Sequence, residues 1–200
     1  MGTRPFNRGP SITAPAADQV SDGQLLRWFV VWQDARAFEA LVRRHGPMVL
    51  SVCRRLLGDD HDAEDAFQAT FLVLARKAGV IGKPDLLAGW LYRVATRTAA
   101  KARVQAARRR FHESRAAVAP VADPLPDASR RDLGSALTAE LAGLPERYRA
   151  PLVLCYLEGK TNGEAARQLG CPAGSMSSRL ARGRELLRQR LTGRWGEGIW

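Results

Sequence analysis

An all-α fold of two small helical units is what this sequence predicts, and three observations carry the expectation. Apolar residues recur at three- and four-residue spacing over most of the 200 residues. A stretch holding Pro120, Pro124 and Pro126 interrupts that periodicity and reads as a semi-stiff Pro/Ala-rich linker over 116–130. Downstream, Thr161–Leu187 carries the start and stop signals of two short helices joined by a tight turn. At 46% hydrophobic residues, each unit has enough apolar material for a core of its own.

Charge and cysteine usage narrow the class. The 31 Lys and Arg against 20 Asp and Glu leave a formal net charge of +11, which favours a polyanionic partner: nucleic acid first, an acidic membrane surface second. The apolar run Leu25–Trp32 is interrupted by Arg27 and is too short to span a bilayer, so neither a secretion signal nor membrane insertion is expected. Cys53, Cys155 and Cys171 are odd in number and far apart, and they read as reduced thiols of a cytosolic, cytoplasmic protein. No C-x-x-C or Cys/His cluster suggests zinc. His45, His61 and His112 are scattered and read as surface or capping residues. No nucleophile is paired with a base and no phosphate loop occurs, so neither an enzyme, nor a metal, nor a cofactor is expected.

Residues 1–20 hold Pro5, Pro10 and Pro15 among small and polar residues, the composition of a disordered leader. Helical periodicity begins near Ser21 with Leu25, Leu26, Phe29 and Val30. It continues through Phe38, Leu41 and Val42 to a break at His45–Gly46–Pro47, and resumes with Val49, Val52, Cys53, Leu56 and Leu57 until Gly58. Asp59–Ala78 crowds acidic residues at a helix start, where the macrodipole favours them, with Asp59 or Asp60 as cap. Ala63, Ala66, Phe67, Thr70, Phe71 and Leu74 face a core. Asp62, Asp65, Gln68, Ala69 and Leu72 remain as a second stripe, either a docking face for a partner helix or a solvated helix start. Consecutive acidic residues on a helix point in different directions, which argues against a metal site there.

Gly79–Asp85 is a loop by its two glycines and its proline, and Leu86–Arg110 returns to helix. Leu87, Leu91, Val94, Ala95 and Thr98 are its expected inner face, while Arg93, Arg97 and Lys101 stack four residues apart beside Trp90, Tyr92 and Thr96. Cations next to aromatics suit exposed bases of single-stranded DNA; Trp90 fits that role or the core equally well. Beyond the linker, Leu133, Leu137 and Leu141 mark one helix, and 144–160 another, with Pro145 at its start and Gly159 at its end.

Thr161 and Glu164 form a capping box, Ala165, Ala166 and Leu169 are buried, and Gly170 stops the helix. Pro172 opens the next helix after the turn Gly170–Cys171–Pro172. Met176, Leu180, Gly183 and Leu187 are its buried face, and Ser177, Ser178, Ala181 and Arg182 lie opposite. Small hydroxyls, a small apolar residue and a guanidinium suit close approach to a major groove, although the same hairpin also occurs as plain helical packing. The tail 193–200 is glycine-rich, and its two tryptophans have no evident role.

DAEDAFQATF at 62–71, GWLYRVA at 89–95, LPERYRAPLVLCYLEGKT at 144–161 and GCPAGSMSSRLARGRELL at 170–187 resemble the extracytoplasmic-function (ECF) branch of the sigma-70 family of bacterial RNA polymerase sigma factors. The resemblance runs from about Gln24 to Leu191, in family order and spacing, and is nearest in style to the ECF branch abundant in planctomycete-like bacteria. It implies a sigma-2-like domain over 21–115 that binds the β′ coiled coil of core polymerase through Asp62, Asp65, Gln68 and Leu72. That domain would melt and read the promoter −10 element with Lys83, Trp90, Arg93, Thr96, Arg97 and Lys101. It further implies a sigma-4-like helix-turn-helix domain over 131–192 that holds the β flap and reads the −35 element. Ser177, Ser178, Ala181 and Arg182 would enter the groove there, and Arg149 would meet the DNA backbone. An anti-sigma factor is a further partner that the resemblance implies.

The chain departs from the family pattern at Ser177, where Lys or Arg is usual, at Ala69, often acidic, and in TNGEAA, where bulkier residues are usual. Two other readings use the same residues. A stand-alone helix-turn-helix regulator leaves the acidic stripe and the basic helix without a role, and a polymerase-binding decoy without promoter reading is motivated by Ser177.

Overall fold

The structure, a computed structural model, describes residues 20–114 and 127–195, and among these every regular element is helical, as the periodicity predicts. The leader up to residue 19, most of the linker, the side chain of His112 and the last tail residues lie outside the described residues. Four helices form the N-terminal unit: α1 (Asp22–Trp32), α2 (Ala35–Leu57), α3 (Asp60–Lys77) and α4 (Leu87–Ser114). Two 3-10 turns, Ala78–Val80 and Pro84–Leu86, carry the chain from α3 to α4. The C-terminal unit holds α5 (Asp127–Gly143), α6 (Glu146–Leu152, continued by a π turn Val153–Leu157), α7 (Asn162–Gln168) and α8 (Ala173–Trp195).

Side-chain caps begin α1, α2, α3 and α7. Ser21 and Gln24 form a capping box on α1, and the Asp34 and Asp59 carboxylates accept the backbone N–H of Arg36 and Asp62, each at 2.9 Å, at the starts of α2 and α3. Asp60 and Asp62 add negative charge to the first turn of α3, while Arg76 and Lys77 add positive charge to its last. Gly58 ends α2 at φ +73°, a conformation that strains other residues.

The helices depart from the sequence expectation at several points. The expected break at His45–Gly46–Pro47 is absent, and α2 runs through Pro47. Proline costs the helix one hydrogen bond, yet His45, Gly46, Met48 and Val49 are buried around it, and tertiary packing holds the turn together. On α4 the buried residues are Leu87, Ala88, Gly89, Leu91, Tyr92, Ala95, Thr96 and Ala99, whereas Val94 and Thr98 are only half-buried. Helix α5 starts at Asp127, inside the stretch expected as linker, because Pro126 is the last residue opposing a helix there. Pro172 precedes α8 instead of opening it, and its carbonyl accepts the N–H of Ser175 at 3.0 Å.

One hydrophobic core runs through both units, from Leu25, Leu41 and Leu91 to Leu144, Leu154, Met176 and Leu180. Helices α5 and α6 bridge it, packing against α2 and α4 on one side and α8 on the other. Gly89 makes this approach feasible. A Cβ there would lie 3.1 Å from both Cα and Cβ of Ala150 and 2.5 Å from a carboxylate oxygen of Glu146. Helices α4 and α6 therefore touch backbone to backbone at Gly89.

Candidate nucleic-acid and polymerase interfaces

Helix α8 displays Ser177, Ser178, Ala181 and Arg182 exposed on one face, with Met176 fully buried and Leu180 and Gly183 buried on the other. The hairpin that holds it is built as the sequence reads. Thr161 and Glu164 exchange backbone and side-chain hydrogen bonds, which hold the Glu164 carboxyl below its ordinary range, and Gly170 turns the chain at φ +57°. Gly183 lets α8 sit on α6, since a Cβ there would come 3.0 Å from Leu152 and 3.3 Å from the Tyr148 carbonyl oxygen. The Ser178 hydroxyl donates to the Ser175 carbonyl at 3.0 Å, and Arg184 donates to the Tyr156 hydroxyl at 3.1 Å, so the guanidinium of Arg182 leads the exposed face.

Helix α3 exposes Asp65, Gln68 and Leu72; Leu72 is 59% exposed, a large apolar side chain kept in water two turns beyond Asp65. Asp62 is half-covered, its carboxylate 3.7 Å from the Arg109 guanidinium. A groove of about 520 Å³ separates α3 from α4, with Asp62 and Asp65 on one wall and Arg97, Lys101 and Arg109 on the other. The acidic and basic faces meet along it.

On α4 and the preceding loop, Lys83, Arg97 and Lys101 are exposed and Arg93 is half-buried. Trp90 is also half-buried, in a cleft of about 600 Å³ shared with Lys83 and Leu86 and closed on its far side by Pro145, Glu146 and Arg147 of the C-terminal unit. Thr96 does not join this surface. It is 8% exposed, and its hydroxyl donates to the Tyr92 carbonyl of its own helix at 2.9 Å, so in this form it offers nothing to a base.

Arg149 is placed differently from the expectation of a DNA-backbone contact. It is 2% exposed, and its guanidinium donates to the carbonyls of Gly89 (3.0 Å), Ala142 (2.8 Å) and Leu144 (2.6 Å) and to the Glu146 carboxylate. Burial lowers its pKa and the Glu146 charge opposes that. Four of its five N–H donors are engaged inside the fold, and the bond to Gly89 ties the two units together.

His45, read as a surface or capping residue, is instead fully buried where the two units meet. Its Nε2 lies 3.1 Å from the Asp22 carboxylate of α1 and its Nδ1 lies 2.7 Å from the Glu158 carboxylate, just past the π turn. Asp22 also accepts from Arg44 and, at 3.0 Å, from Gln168 of α7. Burial alone would push the imidazole down, but the Asp22 and then the Glu158 carboxylate outweigh it and hold His45 up at about 9. One signal for this residue was present: His45 sits four residues after Leu41 and four before Val49, on the buried stripe of α2.

Among the described residues, no group of three His, Cys, Asp or Glu side chains could hold a metal ion, and no helix is long and apolar enough to cross a membrane.

Comparison with known proteins matches both units to regions of one family. Region 2 of sigma-70 matches residues 41–110, which contain α3 and most of α4, and region 4 of sigma-70 matches residues 135–187, which contain the hairpin. The chain is 35% identical over 164 residues to the ECF RNA polymerase sigma factor SigE of Mycolicibacterium smegmatis, across 78% of this chain and 62% of that relative. It is 30% identical over 199 residues to the ECF RNA polymerase sigma factor SigM of Mycobacterium tuberculosis, across 98% of this chain and 96% of that relative. A solved structure of CnrH in complex with the cytosolic domain of CnrY is similar at 22% identity and a TM-score of 0.41, covering 86% of this chain and 97% of that one. By both family regions and by near full-length similarity to such relatives, the chain belongs to the ECF branch of the sigma-70 family of RNA polymerase sigma factors.

Proposed function

We propose that this chain, acting in the cytoplasm, carries core RNA polymerase to promoters and divides the work among three surfaces. Asp65, Gln68 and Leu72, with Asp62 at the edge, dock the β′ coiled coil, because a stripe that runs from carboxylates at the helix start through an amide to an exposed leucine suits an amphipathic helix with basic residues. Lys83, Trp90, Arg93, Arg97 and Lys101 hold the −10 element as it melts, where stacking and positive charge act on bases leaving the duplex. Helix α8 enters the major groove at the −35 element with Ser177, Ser178, Ala181 and Arg182, while its unit holds the β flap. The two DNA contacts are each modest, and one polymerase holding both combines them. An anti-sigma protein would act by covering these same faces.

The observation that carries this reading is the four-residue face of α8, exposed and small except for one guanidinium, on a hairpin packed tightly enough to hold it in register. Run-off transcription with purified bacterial core polymerase on a library of promoter fragments tests it. Transcripts that require this protein and share −35 and −10 sequences are the expected result. Tight polymerase binding without any transcript would instead support the decoy reading that Ser177 motivates, and no polymerase binding at all would return the hairpin to the stand-alone regulators.

A further inference from the structure

Of the four residues on the groove face of α8, Arg182 alone is charged, and a single guanidinium is little to hold a polyanion with. Seven residues beyond Ser177, Arg184 returns to nearly the same side of the helix, about 20° away around the axis and about 10 Å along it. It is exposed, and its Nη1 donates to the Tyr156 hydroxyl at 3.1 Å. Neighbouring cations are engaged differently. Arg188 bonds to the Glu185 carboxylate at 2.9 and 3.1 Å, Arg190 reaches Glu140 of α5, and Arg147 lies over the Tyr148 ring. The partner of Arg184 is a neutral oxygen, which orients the guanidinium and leaves its charge uncancelled.

Tyr156 owes its position to the π turn. The Glu158 N–H donates to the Val153 carbonyl five residues back at 3.1 Å, one residue more than an α turn spans. Within the turn Val153 and Leu154 are buried, while Tyr156 is 59% exposed. The close approach of Gly183 to Leu152, the residue just before the turn, brings that exposed ring against α8 beside Arg184.

We infer that Arg184 is a second DNA anchor of α8, taking one backbone phosphate of the duplex, and that Tyr156 is the positioning residue that aims it. The inference rests on the reading of α8 as the −35 helix and deepens it. One of the five guanidinium N–H groups is committed to Tyr156, so four remain for phosphate oxygens. A phosphate contact fixes register and carries affinity, and it reads no sequence. The division of labour follows: Arg182 discriminates among −35 sequences, and Arg184 grips whichever sequence is present.

Retention of duplex promoter fragments by the full chain on bacterial core polymerase, measured from about 50 to 200 mM salt, tests the pair. Arg184→Ala should weaken retention about tenfold, by a similar factor on every −35 variant, and lower the salt dependence by about one ion. Arg184→Lys should keep the salt dependence, since the charge remains. Tyr156→Phe removes only a hydroxyl and should cost about threefold by itself, with no further loss when combined with Arg184→Ala. A bond that served only to tie the π turn to α8 would leave the salt dependence where it is. An unmoved salt dependence in Arg184→Ala, or a Tyr156→Phe loss that adds in full to that of Arg184→Ala, would therefore overturn the proposal. A wild-type chain that retains no promoter fragment with any core polymerase would overturn the −35 reading and this pair with it, whereas normal wild-type retention with an unmoved salt dependence overturns the pair alone.

Discussion

Helices α4 and α8 are both rich in arginine and both expected to meet DNA, but they present their residues differently. All four groove residues of α8 stand in water, whereas on α4 Thr96 is buried and Trp90 and Arg93 are half-covered. The difference lies in what packs against each helix. Helix α8 is held by α5, α6 and α7 of its own unit, so one apolar stripe fixes its outer face. Helix α4 packs against α2 and α3 of its own unit and also against α5, α6 and the π turn of the other. Three- and four-residue spacing reports the first kind of burial, and it carries no information about the second, which depends on how two units dock.

The largest effect is expected where the second kind of burial is densest. Arg149→Ala removes a guanidinium that serves three carbonyls and one carboxylate, leaving those acceptors buried without it. A loss of about 3–5 kcal/mol of stability is expected, the usual consequence of stripping one partner from a buried ionic cluster. Chemical denaturation measures it. A loss under 1 kcal/mol, together with a lower salt dependence of DNA binding, would return Arg149 to the DNA backbone.

Next in size is the pH response of the His45 cluster. With a folded pKa near 9 against an ordinary value of 6.5, the protonated imidazole contributes stability that is complete below about pH 6.5 and lost as pH rises through 9. The groups facing it are Asp22 from α1, with Arg44 and Gln168 on that same carboxylate, and Glu158 from beyond the π turn. Asp22 is itself held below its ordinary range: burial works against this, and the bonds and charges of His45 and Arg44 outweigh it, so its share is lost toward acid instead. The expected fall between pH 6.5 and 9.5 is roughly 3 kcal/mol, what a rise from 6.5 to about 9 gives at about 1.4 kcal/mol per unit. Urea midpoints across this range should decline in wild type and decline less in Glu158→Gln; a flat wild-type profile would show that His45 is neutral in the fold.

On the exposed faces, smaller and more selective effects are expected. Asp65→Lys reverses a charge in water beside Leu72, and it should weaken core-polymerase binding about tenfold while thermal stability stays within a degree or two. Equal affinity in a competition assay would remove α3 from the interface. Arg182→Ala should weaken promoter use several-fold through the −35 element alone, reducing the salt dependence of binding by about one ion. Unchanged discrimination among −35 variants would show that the guanidinium reads nothing there.

How much of this was legible in the sequence divides along the same line. The helix start near Ser21, the caps at Asp59 and Thr161, the stops at Gly58 and Gly170 and the buried stripe of α8 are local, and a few neighbouring residues specify each of them. The continuity of α2 through Pro47 was not legible, because packing on both sides of the proline overrides a local preference. The burial of Arg149 and His45 is not legible for a related reason. A buried charge is tolerated only beside its partners, and those partners lie as far away in the chain as Gly89 for Arg149 and Glu158 for His45. Gly89 was read as part of a family motif, and its contact with Ala150 becomes visible only once the two units are together.

The smallest expected effect tests the contrast at neighbouring positions on one helix. Thr96 and Arg97 follow one another on α4, and the family resemblance assigns both to the −10 element. Here the Thr96 hydroxyl bonds to Tyr92 within its own helix and the side chain is covered, while Arg97 is exposed at the α3–α4 groove. Thr96→Val keeps the branched shape and removes only the hydroxyl, whose bond to the preceding turn contributes little to a helix. Transcription from −10 variants should therefore change by less than about twofold, within the range of an ordinary neutral substitution. Arg97→Ala should weaken open-complex formation and reduce its salt dependence, since a cation is lost from the strand-holding surface. If Thr96→Val instead altered which −10 sequences are used, α4 would have to turn or bend on the promoter, bringing that hydroxyl out to the bases.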